Sequence, residues 1–183
     1  MKKYELTAEF IEKWGKKLFR IKALIGFGSV EAGELGGYVE KEDNLAQNGN
    51  AWVFDDAEVY GNARVYGNAE VYGDARVCGD AWVYGDARVY GDAWVCGNAD
   101  YLLIGRIGSR FSFTTFFKNK DKGITVSCGC FLGTIAEFRA KVTDTHGNNK
   151  HAKMYNLAAD MAELQILGEE HFDKLNTNKS EPF

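Results

Sequence analysis

The chain is almost without proline: its 183 residues hold one, Pro182, beside 21 glycines. Proline-stiffened linkers are therefore excluded, and bends must come from residues that tolerate positive φ. No apolar run approaches the ~20 residues that a membrane-spanning helix requires. The opening MKKYELTAEFIEKW has no apolar core of the kind that marks a signal peptide. These absences predict a cytoplasmic protein whose four cysteines stay mainly reduced rather than forming a disulfide framework. A strong charge of one sign is missing as well. The net charge is −4, divided as +4 over residues 1–30, −4 over 31–50, −5 over 51–98 and +1 over 99–183. No segment is basic enough for nonspecific binding to nucleic acid. With 45% apolar residues the chain can still bury the cores of one or two modest domains.

What the chain has instead is a repeat. From Ala51 to Asn98 it is eight consecutive units of A-x-V-x-G-N/D without insertion, with Asp55 in place of the first glycine. Ala and Val lie two apart, so in an extended strand both face one side and the residues flanking Val face the other. The Gly-Asn/Asp pair ends each short strand in a sharp bend. A bend of constant sense after every strand makes a coil whose neighbours repeat, which is a solenoid. Each buried Val contributes roughly 1.5–3 kcal/mol by transfer. Several coils are needed before such burial offsets chain entropy.

A small residue two positions before an aliphatic one, recurring every six, resembles the hexapeptide repeat of left-handed parallel β-helix proteins. The resemblance implies triangular coils in which residues 18 apart stack. It then implies outward ladders of Phe54, Tyr72 and Tyr90, of Tyr66 and Tyr84, and of Tyr60, Cys78 and Cys96. Trp52, Glu70 and Arg88 would share one wall, Glu58, Arg76 and Trp94 another, and Arg64 and Trp82 the remaining one. Such ladders either shield the solenoid and keep its coils in register or form a docking surface. The candidate partner or ligand surface comprises Trp52, Arg64, Tyr66, Tyr72, Arg76, Trp82, Tyr84, Arg88, Tyr90 and Trp94. Cys78 and Cys96 would be neighbours on adjacent coils, near enough for a disulfide. The cytoplasmic expectation makes them packed thiols.

Residues 1–32 read as a lead: a short amphipathic helix, TAEFIEKWG, then an alternating strand, LFRIKAL. The glycine-rich GFGSVEAGELGGYVEKEDNL that follows starts the first coil. Its G-x-G precedes neither a helix nor Lys-Ser/Thr, so it is not a phosphate loop. The β-helix is expected over residues 33–108, in about four coils, and a small α+β unit over 109–183. There, SRFSFTTFFKNKDKGITVSCGC reads as two strands around the turn KNKDKG. In GTIAEFRAKVTDTHG, Thr134 and Glu137 have capping-box spacing, Ile135, Phe138 and Val142 line one helical face, and His146-Gly147 closes the helix. A second helix, from about Ala152 to Leu167, carries Met154, Leu157, Met161 and Leu164 at core spacing. The polar tail after it is expected to fray. The expected fold is thus an all-β solenoid (a left-handed parallel β-helix) with a helix-strand lead and a small C-terminal α+β unit.

LGGYVEKEDNL followed by NAWVFDDAEVYGNARVYGNA, then CGCFLGTIAEFRAKV with a later THG, is similar to hexapeptide-repeat proteins of phages and prophages. Such chains are often labelled polymer-forming or transferase from the coil alone, and the family has no firmly assigned reaction. The resemblance implies a non-catalytic interaction or scaffold protein that binds a host or phage partner, with antagonism of a host defence as one version. It also implies self-association, with a trimer as the usual solution. Capture of a small nucleotide by Arg and Trp surfaces between subunits is a further version. Mimicry of nucleic acid by the acidic coil is opposed by Arg64, Arg76 and Arg88.

Many β-helix relatives are acyltransferases that use a histidine as base. Here the coil has none, and His146, His151 and His171 all follow it. The same absence opposes a carbonic-anhydrase-like metal site on the coil. Ice binding needs outward threonine rows, yet no Thr occurs between Thr7 and Thr114. The sharpest local constellation is Cys128-Gly129-Cys130 with His146 and His151 downstream. Two thiolates and two imidazoles suit tetrahedral zinc. The competing reading is two small buried residues on a strand and a helix-capping histidine. A nucleophilic Cys130-His146 pair is a third, without a visible orienting group. No cofactor other than zinc is suggested.

Overall fold

In the repeat, backbone amides reach the carbonyl of the next coil: Trp52 N–H donates to Ala69 O at 3.0 Å, Arg64 N–H to Ala81 O at 2.9 Å and Arg76 N–H to Ala93 O at 2.8 Å. These bonds place residues 18 apart in parallel register, so that Trp52, Glu70 and Arg88 share a wall, as do Glu58, Arg76 and Trp94. A computed structural model describes residues 1–171 and divides them into two units, Met1–Asn98 and one beginning at Ala99. The fraying expected of the tail falls on residues 172–183, outside the described residues.

The first unit is a parallel β-solenoid of about three turns. Its coil strands are residue pairs: β4 (Trp52–Val53), β5 (Glu58–Val59), β6 (Arg64–Val65), β7 (Glu70–Val71), β8 (Arg76–Val77), β9 (Trp82–Val83), β10 (Arg88–Val89) and β11 (Trp94–Val95). Strands β4, β7 and β10 form one wall, and β6 and β9 a second, onto which Leu45 bridges at Val65. The third wall takes β5, β8 and β11 and extends through the lead strands β1 (Tyr4–Lys13), β2 (Lys16–Ala23) and β3 (Leu35–Val39). Every repeat Val from Val53 to Val95 is fully buried, and so in effect is every repeat Ala. The bend glycines from Gly61 to Gly91 carry the positive φ that the repeat anticipates. Gly67, at φ +74°, lies so close to the next coil that an added Cβ would sit 3.1 Å from Gly85 N. Asp55, where glycine is missing, still adopts φ 51°, a region that Asp tolerates better than most residues. Side-chain amides reinforce the register: Asn50 donates to Asn68 at 3.1 Å and Asn68 to Asp86 at 3.0 Å.

The lead differs from expectation. TAEFIEKWG is strand, not helix: β1 pairs antiparallel with β2, placing Leu6 opposite Ile21 and Ile11 opposite Leu18. Trp14 and Gly15 turn the hairpin, both with positive φ (52° and 72°), the requirement of a tight primed turn. Pairing along the hairpin outweighs the helical spacing of Phe10, Ile11 and Trp14. The lead then covers buried groups of the first coil. Tyr4 Oη donates to Glu42 O and Leu45 O, each at 2.8 Å, and Lys3 Nζ to Ala51 O at 2.8 Å. Trp52, wholly buried, meets the Tyr4 ring at 6.0 Å and the Phe27 ring at 5.4 Å between centroids.

The coil is also shorter than the 33–108 expected. After Asn98 the Ala-Val spacing ends, and Tyr101–Ile107 forms β12, paired antiparallel with β13 (Ser112–Lys118) in the second unit. Next come β14 (Ile124–Cys128) and β15 (Phe131–Thr134), completing the sheet β12-β13-β14-β15. The turn between β13 and β14 is the KNKDKG of the sequence reading. Helix α1 (Ile135–His146) begins at a Thr134/Glu137 capping box and ends at Gly147; α2 (Lys150–Leu167) is capped by Asn149. Phe116, Val126, Phe138, Val142, Tyr155, Ala159 and Ile166 form this unit's core. Arg139 ties the helices, contacting Asp160 at 2.7 Å and Glu163 at 2.6 Å. The expected core face of α2 is reversed: Met154, Leu157, Met161 and Leu164 are exposed, while Ala152, Tyr155, Ala159, Ala162 and Ile166 face inward. Small alanines let α2 approach the sheet more closely than the longer side chains would.

Two predictions test the lead as a cap. Trp52→Ala removes a fully buried indole and should cost about 3–5 kcal/mol of stability, read by chemical denaturation. Burial lowers the pKa of Lys3 from its ordinary 10.5 to about 8. Below pH 8 folded and unfolded chains both carry this proton, and the fold bears the full cost of a buried charge. Between pH 8 and 10.5 the folded chain releases it first, so stability rises. Burial and then the Glu42 carboxylate hold Tyr4 protonated above its ordinary 10.0, an effect that stabilises below that pH and is lost as pH rises past the raised value. The melting temperature should therefore climb from pH 7.5 to about 9.5, and Lys3→Met should flatten the climb.

Candidate functional site

The three solenoid walls differ in how their outward groups are satisfied. On the β4-β7-β10 wall, Arg88 Nε pairs with Glu70 at 3.0 Å, and the corner rings Phe54, Tyr72 and Tyr90 stack with centroids 4.2 and 4.6 Å apart. Burial, reinforced by the Glu70 carboxylate, pushes the Tyr72 hydroxyl well above the ordinary tyrosine range. On the β5-β8-β11 wall, the buried Glu58 carboxylate meets Lys13 and, at 3.6 Å, Arg76. The Trp14 ring stacks on Tyr60 at 5.0 Å and under the Arg76 guanidinium at 4.9 Å. These two walls are largely balanced from within the unit.

The β6-β9 wall is different. Arg64 lies 5.7 Å from the Trp82 ring centroid, and among the described residues it makes no ion pair. Tyr66 meets Trp82 edge-on at 6.4 Å and stacks on Tyr84 at 5.3 Å. Trp82 and Tyr84 are 45% and 49% exposed, high for such rings. Burial, then the neighbouring Tyr84, raises the Tyr66 pKa. Two clefts flank this pair, of about 510 and 450 Å³, and both include Asp43, Arg64 and Trp82. Lys41 closes one and Glu42 the other.

Of the candidate surface residues, Trp52 is misplaced by the sequence reading: it is core, because the lead covers it. Tyr72, Tyr90, Arg76 and Arg88 face outward within the balanced walls, and Trp94 is 44% exposed beside Arg76. Arg64, Tyr66, Trp82 and Tyr84 come together. Sequence reasoning missed Lys41, Asp43 and Trp14. The first two lie outside the repeat, and no periodicity signals them. Trp14 could have been found from the Trp-Gly pair between two Lys-containing strands. Cys78 and Cys96 stand on one rung with Cα atoms 4.3 Å apart, and their sulfurs are joined as a disulfide, not held as separate thiols.

In the second unit a cavity of about 280 Å³ holds Arg110, Cys128, Cys130, His146 and Tyr155. Cys128 ends β14, and its Sγ accepts from Thr114 Oγ1 at 3.2 Å. Cys130 lies beyond Gly129, at φ +61°, with Arg110 Nη1 3.8 Å from its Sγ. That sulfur makes the Arg110 guanidinium hold its proton more firmly, while burial, then Cys128, raises the Tyr155 hydroxyl. His146 packs at 5.8 Å from both the His151 and Tyr155 rings. Among the described residues no three His, Cys, Asp or Glu side chains converge to hold a metal ion. The zinc arrangement of Cys128, Cys130, His146 and His151 is therefore not assembled among these residues; Cys128 contacts Thr114 and Cys130 contacts Arg110. Cys130 is exposed and Cys128 half-buried, so iodoacetamide should label Cys130 well before Cys128, read by peptide mass spectrometry.

No curated protein matches the chain. Residues 57–73, 69–85 and 81–97 match the family described as YdcK Beta solenoid repeat. These overlapping windows run from β5 to β11 and coincide with the buried Ala and Val rungs, so over this stretch the chain is a β-solenoid repeat protein similar to that family.

Proposed function

We propose that this is a non-catalytic interaction or scaffold protein whose β6-β9 wall receives a partner. The observation that carries this reading is that Arg64, which makes no ion pair among the described residues, lies exposed beside the 45% exposed Trp82 ring where two clefts meet. Aromatic and arginine groups of this kind dominate binding energy at protein interfaces. The resemblance to phage hexapeptide-repeat proteins supports a host or phage protein as the partner, with antagonism of a host defence as the concrete version. Self-association through the coil, with three copies as the usual arrangement of such coils, belongs to the same proposal. A hexapeptide acyltransferase is the weaker reading, since the coil carries no histidine to act as base.

The test compares proteins recovered with wild type and with Arg64→Glu/Trp82→Ser after gentle purification, with native mass spectrometry of each complex. Both substitutions are at exposed sites, so stability should change by no more than about 0.5 kcal/mol per site. A stoichiometric partner held by wild type and lost by the variant is the expected result. An identical set of retained proteins would refute the wall as the site. Acyl-CoA turnover that vanishes in His146→Ala would replace the proposal with the enzyme reading.

A further inference from the structure

Helix α2 is apolar on two opposite faces. Inward, Ala152, Tyr155, Ala159, Ala162 and Ile166 pack into the unit's core. Outward, Met154, Leu157, Met161 and Leu164 are 39%, 63%, 57% and 46% exposed. Their spacing of three, four and three residues is that of a coiled-coil seam rather than of scattered surface residues. A helix apolar on both sides is a helix with a layer missing on one of them.

The outer stripe is also symmetric about Ala159: Leu157 and Met161 lie two residues either side of it, Met154 and Leu164 five. A two-fold axis level with Ala159 would therefore place Met154 against Leu164 of a second copy and Leu157 against Met161, which are the alternating layers of an antiparallel helix pair. The charges agree. Lys150 and Lys153 stand in the first turn of α2, Glu169 and Glu170 follow its C-terminal end, and the helix has no acidic residue in its first turn and no basic one in its last. Both groups have the wrong sign for their own helix dipole. An antiparallel neighbour brings its glutamates to the lysine end and its lysines to the glutamate end, correcting both.

The geometry points to α2 as a self-association surface whose occupant is α2 of a second copy, packed antiparallel across a two-fold axis. This pairing is independent of the coil wall. If the coil also assembles, α2 joins two such assemblies.

Sedimentation velocity of the full chain tests it. Wild type should show an even number of copies, and Leu157→Asp should halve that mass without changing circular dichroism or melting. Lys150→Glu/Lys153→Glu should weaken association about fivefold, the scale of exposed ion pairs, and Glu169→Lys/Glu170→Lys in the same chain should restore it. In a Cys130→Ser background, a mixture of Met154→Cys and Leu164→Cys should cross-link under mild oxidation, whereas Met154→Cys alone should not. A mass unchanged by Leu157→Asp overturns the proposal. So does cross-linking of Met154→Cys to itself, which would indicate a parallel pair. A rise in mass on removing residues 172–183 overturns it too, because the chain's own tail would then be the occupant.

Discussion

Every feature of the first unit depends on one backbone constraint: an amide of one coil bonds to a carbonyl of the next, and the same offset is kept along the repeat. Because the offset never slips, valine stacks on valine inside and each outward residue stacks on its counterpart a full turn away. The inner stack supplies burial, and the outer stack decides whether neighbours attract. Glu70 beneath Arg88 and Glu58 beneath Arg76 attract. Like charges on one rung would repel at a spacing that the backbone does not allow them to increase.

The same constraint explains why the walls are unequal. A wall is balanced when its stacked residues are complementary or when another segment covers it. The hairpin tip supplies such cover for Tyr60 and Arg76, through Trp14 and Lys13. The Arg64 and Trp82 rung carries a cation-to-ring contact, which is modest at an exposed site. The solenoid's stability therefore rests mainly on its interior and its cap, which leave the Arg64 and Trp82 rung exposed.

The second unit works by a different principle. Its antiparallel sheet and two helices enclose a core of large aromatics on the sheet side and α1, matched by alanines on α2. Close approach of α2 is what turns its long apolar side chains outward. A larger residue at Ala159 or Ala162 would push the helix away from the sheet, since interiors of this density have no spare volume.

Sequence alone determined the solenoid, because a strict six-residue period with alternating small and branched residues has one inexpensive solution: buried Ala and Val rungs with bends at Gly-Asn/Asp. The pairs of residues 18 apart, the capping box at Thr134 and the strands around KNKDKG were legible for the same reason, since each depends on neighbours close in sequence or on an unbroken period. Tertiary structure decided the rest. TAEFIEKWG fits a helical period, but its hydrogen bonds go to β2, a partner that local spacing cannot reveal. Trp52 looks like its counterparts Trp82 and Trp94, yet it is buried because it occupies the first coil and the lead closes over it. Two apolar stripes on α2 satisfy the same periodicity, and only packing volume against the sheet selects the alanine face. Cys128 and Cys130 sit at ligand spacing, yet Cys128 meets Thr114 and Cys130 meets Arg110, neighbours that spacing alone does not name. A period specifies which residues share a face; which face is covered depends on segments distant in sequence.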